Sequence, residues 1–368
     1  MIKVKINGKE ILFERCENYE EVVEKSKAIL KNSRFYKGLS KNDKILLKPN
    51  MLAPREKEKN ITTHPFIIEG IIKALIEKND KKNIFLGDSP GNASAERVAR
   101  VSGIKDVCDK YGIRIISLEK LKRFDGQYNK NIPLFADINK YKIINLPKVK
   151  THVLTTLTCA VKNLYGVVPG KHKAVYHAKL PHPKDFSMLL LDIADIVQPE
   201  FSLIDGVVGM EGDGPSAGSV KKAGFLLAGE DVNLLDYIVA KAIDIEPKRI
   251  PYLKELIEKG KINQNEINKH LKEMGLPLTS FKTPKTTTWL FHTFSNFRFM
   301  RGIRNRLGAR PLVIKKGCIG CGICAKACPA QAITIENGKA NIDRKKCIRC
   351  FCCSELCPEK TIKVKRGL

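Results

Sequence analysis

Short apolar runs, bounded by turn residues and separated by segments of helical spacing, make up most of the first 276 residues. The alternating stretch 1–15 is interrupted by Asn7-Gly8, a dipeptide typical of two-residue hairpin turns, and it predicts two antiparallel strands. Strands that alternate with helices indicate an α/β body with a mainly parallel sheet over residues 1–276. The further strands are predicted from compact apolar runs at 44–47, 83–86, 114–118, 141–146, 201–208 and 224–228.

Helices are predicted between several of these runs. Pro65 suits the first turn of a helix that reaches about Lys78, and Asp231 suits the N-cap of a helix that reaches about Ala242. A helix over 151–164 would place four polar side chains on one face. These are Thr151, Thr155, Thr158 and Lys162.

Residues 277–310 differ from the body in composition and predict a basic, aromatic linker helix. From Phe281 to Arg310 the chain has seven Lys or Arg residues and no Asp or Glu, with aromatic residues interleaved. One interpretation is a helix whose apolar stripe packs against the body. The other is an amphipathic helix that contacts an anionic membrane surface or nucleic acid through 281–310.

The cysteines of residues 311–368 form an internal repeat. C-x2-C-x2-C-x3-C-P occurs twice, 29 residues apart, and this spacing is the bacterial pattern for two [4Fe–4S] clusters in which the fourth cysteine ligates the other cluster. It predicts a small α+β ferredoxin-like domain with two clusters. Cluster one is assigned to Cys318, Cys321, Cys324 and Cys357, and cluster two to Cys347, Cys350, Cys353 and Cys328.

The other four of the twelve cysteines are Cys16, Cys108, Cys159 and Cys352, which we expect not to be ligands. Cluster ligation, rather than disulfide formation, predicts a reducing compartment. No apolar run approaches the roughly 18 residues of a spanning helix, so the sequence predicts a cytoplasmic protein with no transmembrane segment. The net charge of +27 favours anionic partners. No helix-turn-helix or RNA-binding motif supports nucleic acid as one of them.

Polar residues gather where the predicted strands end, which is where α/β sheets bind ligands. Lysines, hydroxyls and amides in 145–173 suit a phosphate or carboxylate. Acidic residues in nearby turns suit acid–base catalysis or the binding of a cation. Asp also favours turns by its own conformational preference, and Asp205 is interpreted as structural. His177 and His182 lie near this region. Candidate ligand-binding residues are Lys48, Asn50, Lys148, Lys150, His152, Lys162, Asn163 and Lys171, and candidate catalytic residues are Asp88, Glu211 and Asp213.

Several of these motifs together resemble the domain-of-unknown-function-362 family, over roughly residues 40–245. The resemblance rests on Lys48-Pro49-Asn50, Gly87-Asp88-Ser89-Pro90-Gly91, 147–152, 158–166, and Asp205-Gly206 with 211–215. It implies a shared fold and pocket, and a frequent fusion to a ferredoxin module, but it names no reaction. Cys159 stands where a small residue such as Gly is expected.

The sequence leaves three hypotheses for function. In the first, a redox enzyme exchanges electrons between its clusters and an anionic substrate or second small anionic cofactor in the basic pocket. In the second, the chain is an electron carrier that docks a redox partner protein. In the third, the basic surface binds nucleic acid and the clusters are structural.

Overall fold

The computed structural model describes residues 1–91, 93–170, 172–284 and 309–365. Among these residues the body is built on one ten-stranded sheet, with a separate two-stranded hairpin beside it. The body strands are β1 (Ile2–Ile6), β2 (Lys9–Arg15), β3 (Ile45–Pro49), β4 (Ile84–Gly87), β5 (Arg114–Ile116), β6 (Leu121–Phe124), β7 (Ile132–Phe135), β8 (Lys142–Leu146), β9 (Lys148–His152), β10 (Thr156–Thr158), β11 (Phe201–Glu211) and β12 (Ser219–Gly229).

The sheet is mixed, with mostly parallel pairings. Its strand order is β1-β2-β12-β11-β8-β3-β4-β5, and β9 pairs with both β11 and β10. The run from β11 through β5 is parallel, whereas β1, β2, β12 and β11 form an antiparallel side. The predicted parallel sheet is therefore confirmed as the larger part of a mixed one.

Helices cover both faces of the sheet and divide the body's apolar side chains into two buried clusters. Strand β3 is buried along its whole length, as expected for a parallel strand packed on both faces. The helices of the body are α1 (Val22–Asn32), α2 (Arg34–Lys37), α3 (Pro65–Leu75), α4 (Ala95–Val101), α5 (Ile104–Tyr111), α6 (Ala160–Asn163), α7 (His172–Lys179), α8 (Pro183–Val197), α9 (Val232–Ala242), α10 (Pro251–Glu258) and α11 (Gln264–Glu273).

Local signals placed the first elements correctly. Asn7 and Gly8 adopt φ values of 51° and 71°, and this left-handed pair turns β1 back onto β2. The predicted helix over 151–164 is wrong. The chain instead continues as β9, turns back as β10, and becomes helical only at Ala160. Its threonines are β-branched and favour a strand, and β9 gains a ladder with β11.

The C-terminal module is built from β13 (Arg310–Val313), α12 (Ile323–Lys326), β14 (Ile333–Glu336), β15 (Lys339–Ile342), α13 (Cys352–Leu356) and β16 (Ile362–Lys365). Strand β14 pairs with β15, and β13 pairs with β16. Each half of the cysteine repeat thus supplies one short helix followed by one strand. Most of the predicted linker helix, at 285–308, lies outside the described residues.

Candidate functional site

The carboxyl ends of β3 and β4 carry a buried ion pair. The two strands are parallel neighbours, so Lys48 at one end meets Asp88 just past the other, with 3.0 Å between Lys48 Nζ and Asp88 Oδ1. The second carboxylate oxygen accepts the backbone N–H of Met51 at 2.9 Å. A Cβ at Gly166 would lie 1.9 Å from Asp88 Oδ1, so only glycine lets this backbone cover the pair.

Lys148 and Lys150 are two residues apart on strand β9, so both side chains lie on the same side of the sheet. Their environments nevertheless differ. The Nζ of Lys148 lies 2.9 Å from Asp205 Oδ2 and also contacts the Tyr19 hydroxyl. The Nζ of Lys150 donates to Asn50 Oδ1 at 2.7 Å and to a backbone carbonyl at 2.8 Å. Burial, with Lys162 and Lys148 nearby, lowers the pKa of Lys150 to about 7.

A chain of amides fixes Asn50 beside Lys150. The Nδ2 of Asn50 donates to Asn163 Oδ1 at 3.0 Å. Asn163 in turn donates to Asn145 Oδ1 at 2.8 Å and to the Lys48 carbonyl at 3.1 Å. Asn163 therefore links the ends of β3 and β8 through α6, and its role is positioning.

Helices α6 and α7 form the opposite wall. Lys173 Nζ donates to the Ser89 carbonyl, and burial lowers the pKa of this lysine to about 7, against the opposing effect of Asp88. The His177 ring stacks on Phe186 with centroids 4.6 Å apart, and burial lowers its pKa to about 4. This wall is therefore rich in nitrogen donors whose charge is weakened by burial.

The C-terminal module closes the site from the other side. Helix α13 directs Glu355 at the end of β9, with 3.2 Å between His152 Nε2 and Glu355 Oε1. Ser216 donates its hydroxyl to the Glu355 carbonyl. Phe351 packs against Val153 of the body. Burial lowers the pKa of His152 to about 4. The pKa of Glu355 falls to about 2, because His152 and Lys162 outweigh the raising effect of burial.

The result is a cavity of about 330 Å³ between body and module. Its lining combines basic and polar side chains with apolar ones. The polar side chains include Asn50, Asp88, Ser89, Lys150, Thr158, Lys162, Asn163, Tyr165, Lys173 and His177 of the body, with Lys326, Cys352 and Glu355 of the module.

The cysteines of the module converge in two groups whose thiols suit [4Fe–4S] clusters. Cys318, Cys321, Cys324 and Cys357 line one cavity. Burial and then the nearby thiols of Cys350, Cys347, Cys328 and Cys324 raise the pKa of the Cys353 thiol, so the second group adjoins the first. Backbone N–H groups of Ala340 and Ala332 donate to Cys318 and Cys328, and such bonds tune cluster potentials. The assignment of individual ligands to clusters stays a prediction.

The structure gathers only part of the predicted body site. Asn50, Asp88, Lys150, Lys162 and Asn163 line the cavity, Lys48 binds Asp88, and His152 meets Glu355. Other candidates lie elsewhere. Lys148 pairs with Asp205, which supports the structural interpretation of Asp205, and Glu211 accepts the Lys282 N–H at 2.9 Å. Asp213 is absent from the cavity lining, and Lys171 lies outside the described residues.

The predicted site omitted its module wall. Lys326, Cys352 and Glu355 were treated only as parts of a cluster-binding motif. Their one sequence signal is the departure between the two halves of the repeat, where Lys326 aligns with Glu355. Among the described residues, no three His, Cys, Asp or Glu side chains are arranged to hold a single metal ion.

The fold and the site together define an α/β protein with an iron–sulfur module docked over a basic cavity. A 4Fe-4S dicluster domain matches residues 310–358, which supports an iron–sulfur electron-transfer role. The family model named domain of unknown function DUF362 matches residues 45–241, more than half of the chain. The chain belongs to this family, as the motifs at its strand ends predicted.

One curated relative is the thylakoid-associated protein sll1697 of Synechocystis, which is 32% identical over 217 residues. The match covers 57% of this chain and 65% of that protein. A crystal structure of a Thermotoga maritima protein aligns at 13% identity over 54% of this chain and 52% of its own. Its TM-score of 0.37 is too low to carry an argument about fold. Within the described residues, no helix is long and apolar enough to cross a membrane.

Proposed function

We propose that this protein is an iron–sulfur oxidoreductase whose two [4Fe–4S] clusters exchange electrons with an anionic ligand bound in the cavity between body and module. One observation carries the proposal. Cavity-lining lysines of the body face Cys352 and Glu355, which lie on the same short helix as the predicted cluster ligand Cys353. A ligand in the cavity would thus contact the same short helix that carries a predicted cluster ligand.

Residues of the chain have separate roles in binding the ligand and in holding the module. Lys150 and Lys173 supply hydrogen-bond donors on two sides of the cavity, and Lys48 neutralises Asp88 so that this carboxylate does not repel an anion. Asn163 holds Asn50 and, through it, Lys150. Glu355 and Phe351 hold the module against the body and exclude water from one wall. When bound, the clusters supply one-electron transfer.

The redox balance needs an external protein. Each electron gained by the ligand is one lost by the module, and a redox partner protein must replace it. We assign this role to the part of the module away from the body, where Cys321 is exposed. Contact of 281–310 with a membrane surface also stays a prediction, and so does location in the cytoplasm.

The full chain, purified anaerobically and reconstituted with iron and sulfide, tests the proposal. Small anionic metabolites are screened for a rise in melting temperature, and each hit is added to the dithionite-free reduced protein. We expect at least one anion to stabilise the fold and to reoxidise the clusters, seen as recovery of their visible absorbance.

Lys162→Met should weaken that stabilisation, whereas Lys81→Met, on an exposed turn of the body, should not. If no anion shifts the melting temperature or reoxidises clusters at full iron content, the enzyme proposal fails. Electron transfer only to proteins would then favour the carrier hypothesis. Salt-sensitive retention on DNA would favour nucleic-acid binding.

A further inference from the structure

Two buried side chains and one half-buried lysine of the cavity offer polar groups without a hydrogen bond within the part of the chain that the structure describes. Glu355 Oε1 also lacks a hydrogen bond there, but it lies 3.2 Å from His152 Nε2. The hydroxyl of Thr158 and Nδ1 of His177 are buried without a hydrogen bond, and these residues are 4% and 6% exposed. Among the described residues, the half-buried Lys162 ammonium has neither a hydrogen bond nor an ion pair, although it lies 5.9 Å from the centre of the Tyr165 ring and interacts electrostatically with Glu355. Buried polar groups normally find partners, so the Thr158 hydroxyl and His177 Nδ1, with the Lys162 ammonium in the same cavity, indicate a ligand that carries acceptor atoms.

Two other lysines of the cavity wall, Lys150 and Lys173, already donate to oxygen atoms of the protein. Lys150 donates to Asn50 and a carbonyl, and Lys173 donates to the Ser89 carbonyl. This contrast distinguishes Lys162 from its neighbours. Protein oxygens accept two hydrogen bonds from Lys150 and one from Lys173, so these lysines have correspondingly fewer to offer a ligand, whereas all three N–H groups of Lys162 are available to one.

The charges of the cavity lining favour an anionic ligand. Lysines 150, 162, 173 and 326 line the cavity, while its carboxylates are Asp88, which Lys48 neutralises, and Glu355, which faces His152. The hydroxyl of Thr158 and the Nδ1–H tautomer of His177 can both donate to an oxyanion. An oxyanion beside Lys162 would satisfy all three groups and offset the excess positive charge.

The rest of the cavity selects against a bare inorganic ion. Apolar side chains form another part of the lining, and 330 Å³ lies at the lower end of the range for small-molecule pockets. A single phosphate would leave these apolar residues against water. They are Met51, Leu52, Pro90, Pro215 and Leu356.

We propose that Thr158, Lys162 and His177 form an oxyanion subsite, and that its ligand is a small amphipathic acid whose carboxylate or phosphate monoester binds there while its apolar part contacts Met51, Leu52 and Leu356. This inference rests on the proposed function for the use of the cavity. It adds the chemical class of the ligand and the three residues that recognise it.

Calorimetry on the oxidised, cluster-loaded full chain tests the subsite, with hexanoate, hexyl phosphate, acetate and inorganic phosphate as probes. Hexanoate or hexyl phosphate should bind at least several-fold more tightly than the matching short anion. Preference for one of the two hexyl probes tells carboxylate from phosphate ester. Equal binding of long and short anions would overturn the amphipathic class, and no binding of any probe would overturn the subsite.

Substitutions at three positions then locate the anion. Thr158→Val is nearly isosteric and should lower the affinity for the hexyl probe about tenfold, and Lys162→Met should lower this affinity more. His177→Asn retains a donor and should weaken it less than His177→Phe. Lys81→Met is the charge control. Unchanged affinity in both Thr158→Val and Lys162→Met, with iron content intact, would overturn the assignment.

Failure of this inference and failure of the proposed function give different results. These titrations involve no electron transfer. If the probes bind through the three residues but no anion reoxidises the reduced clusters, the subsite stands and the oxidoreductase proposal fails. If an anion does reoxidise the clusters while the variants at these three positions bind it normally, the function stands and the subsite is wrong.

Discussion

The first half of the cysteine repeat, residues 318–335, faces mainly outward, whereas the second half, 347–364, faces the body. Ile319 is 64% exposed and Cys321 is also exposed, while Cys350, Phe351 and Cys352 are each less than 9% exposed. The first half reaches the cavity only through Lys326 and Ala327. An identical spacing of cysteines therefore occurs in two surroundings, one exposed to solvent and one packed against the body.

The residues between the cysteines carry this difference. Gly322 and Phe351 occupy equivalent positions and both have left-handed φ values, 74° and 63°. A non-glycine residue adopts this conformation at a cost of roughly 1–2 kcal/mol. Phe351 tolerates it because its ring is buried against Val153 and Val364, and such burial contributes about 2–3 kcal/mol. The strain of the second half is thus offset by docking to the body.

The largest expected effect comes from removing one cluster from either half. Cys321→Ser and Cys353→Ser should each lower bound iron from about eight to about four atoms, with the body still folded by circular dichroism. Cys353→Ser should alter anion binding more than Cys321→Ser, because the helix of Cys353 supplies Cys352, Glu355 and Leu356 to the cavity, whereas the first half supplies only Lys326 and Ala327. Iron analysis, electron paramagnetic resonance and calorimetry measure these outcomes. Loss of body structure in Cys321→Ser would contradict two separately folded parts.

A smaller effect is expected at the aligned pair Glu355 and Lys326. Glu355→Ala leaves His152 Nε2 buried without its facing oxygen and should destabilise the docked module by about 1–3 kcal/mol. Lys326→Ala, at the matching position of the first half, should cost less than about 0.5 kcal/mol. Hydrogen exchange of the α13 amides reports this opening free energy. Equal effects would remove the distinction between the two halves.

The sequence predicted the parts of the fold that local signals determine. Asn7-Gly8 fixed the first hairpin, and the apolar runs located β3, β4, β8 and the start of β11. The motifs at strand ends found Asp88, Lys150 and Asn163, because parallel neighbours bring their carboxyl ends together. These predictions needed only short stretches of chain and one rule of topology.

The remainder depended on contacts between distant segments. Whether Lys148 joined Asp205 or the cavity was decided by β9 pairing with β11, which periodicity does not reveal. The helix predicted over 151–164 was wrong for the same reason. Glu355 became part of the body's site only because the module docks on β9. No spacing rule connects residue 355 with residue 152.

Anion affinity should depend on pH through the body wall of the cavity. Lys150 and Lys173 have pKa values lowered to about 7 by burial, so above pH 7 the ligand-free protein loses their protons. An anion favours the protonated forms and raises those pKa values, so affinity should fall as pH rises above 7, by up to about tenfold per unit for each lysine. The groups that act on these two lysines are Lys48, Asp88, Lys148, Lys162 and Glu355.

Calorimetry in buffers of different ionisation enthalpy measures the accompanying proton uptake. Lys150→Met should flatten the profile, whereas Lys345→Met, on an exposed turn before the second half of the repeat, should leave it unchanged. Affinity that rises with pH would contradict protonated lysines as the binding form.

The smallest effect is expected at Gly322, in the outward half. A Cβ there would meet open space, so Gly322→Ala should cost only its left-handed backbone conformation, about 1 kcal/mol. Gly320→Ala is the contrasting variant, because its Cβ would lie 2.4 Å from the Gly338 carbonyl oxygen. We expect Gly322→Ala to keep both clusters with a slightly lower melting temperature, and Gly320→Ala to lose more. If Gly322→Ala instead removed cluster one, the outward half would require glycine for ligation, and tolerance of Phe351 at φ 63° could not be credited to docking alone.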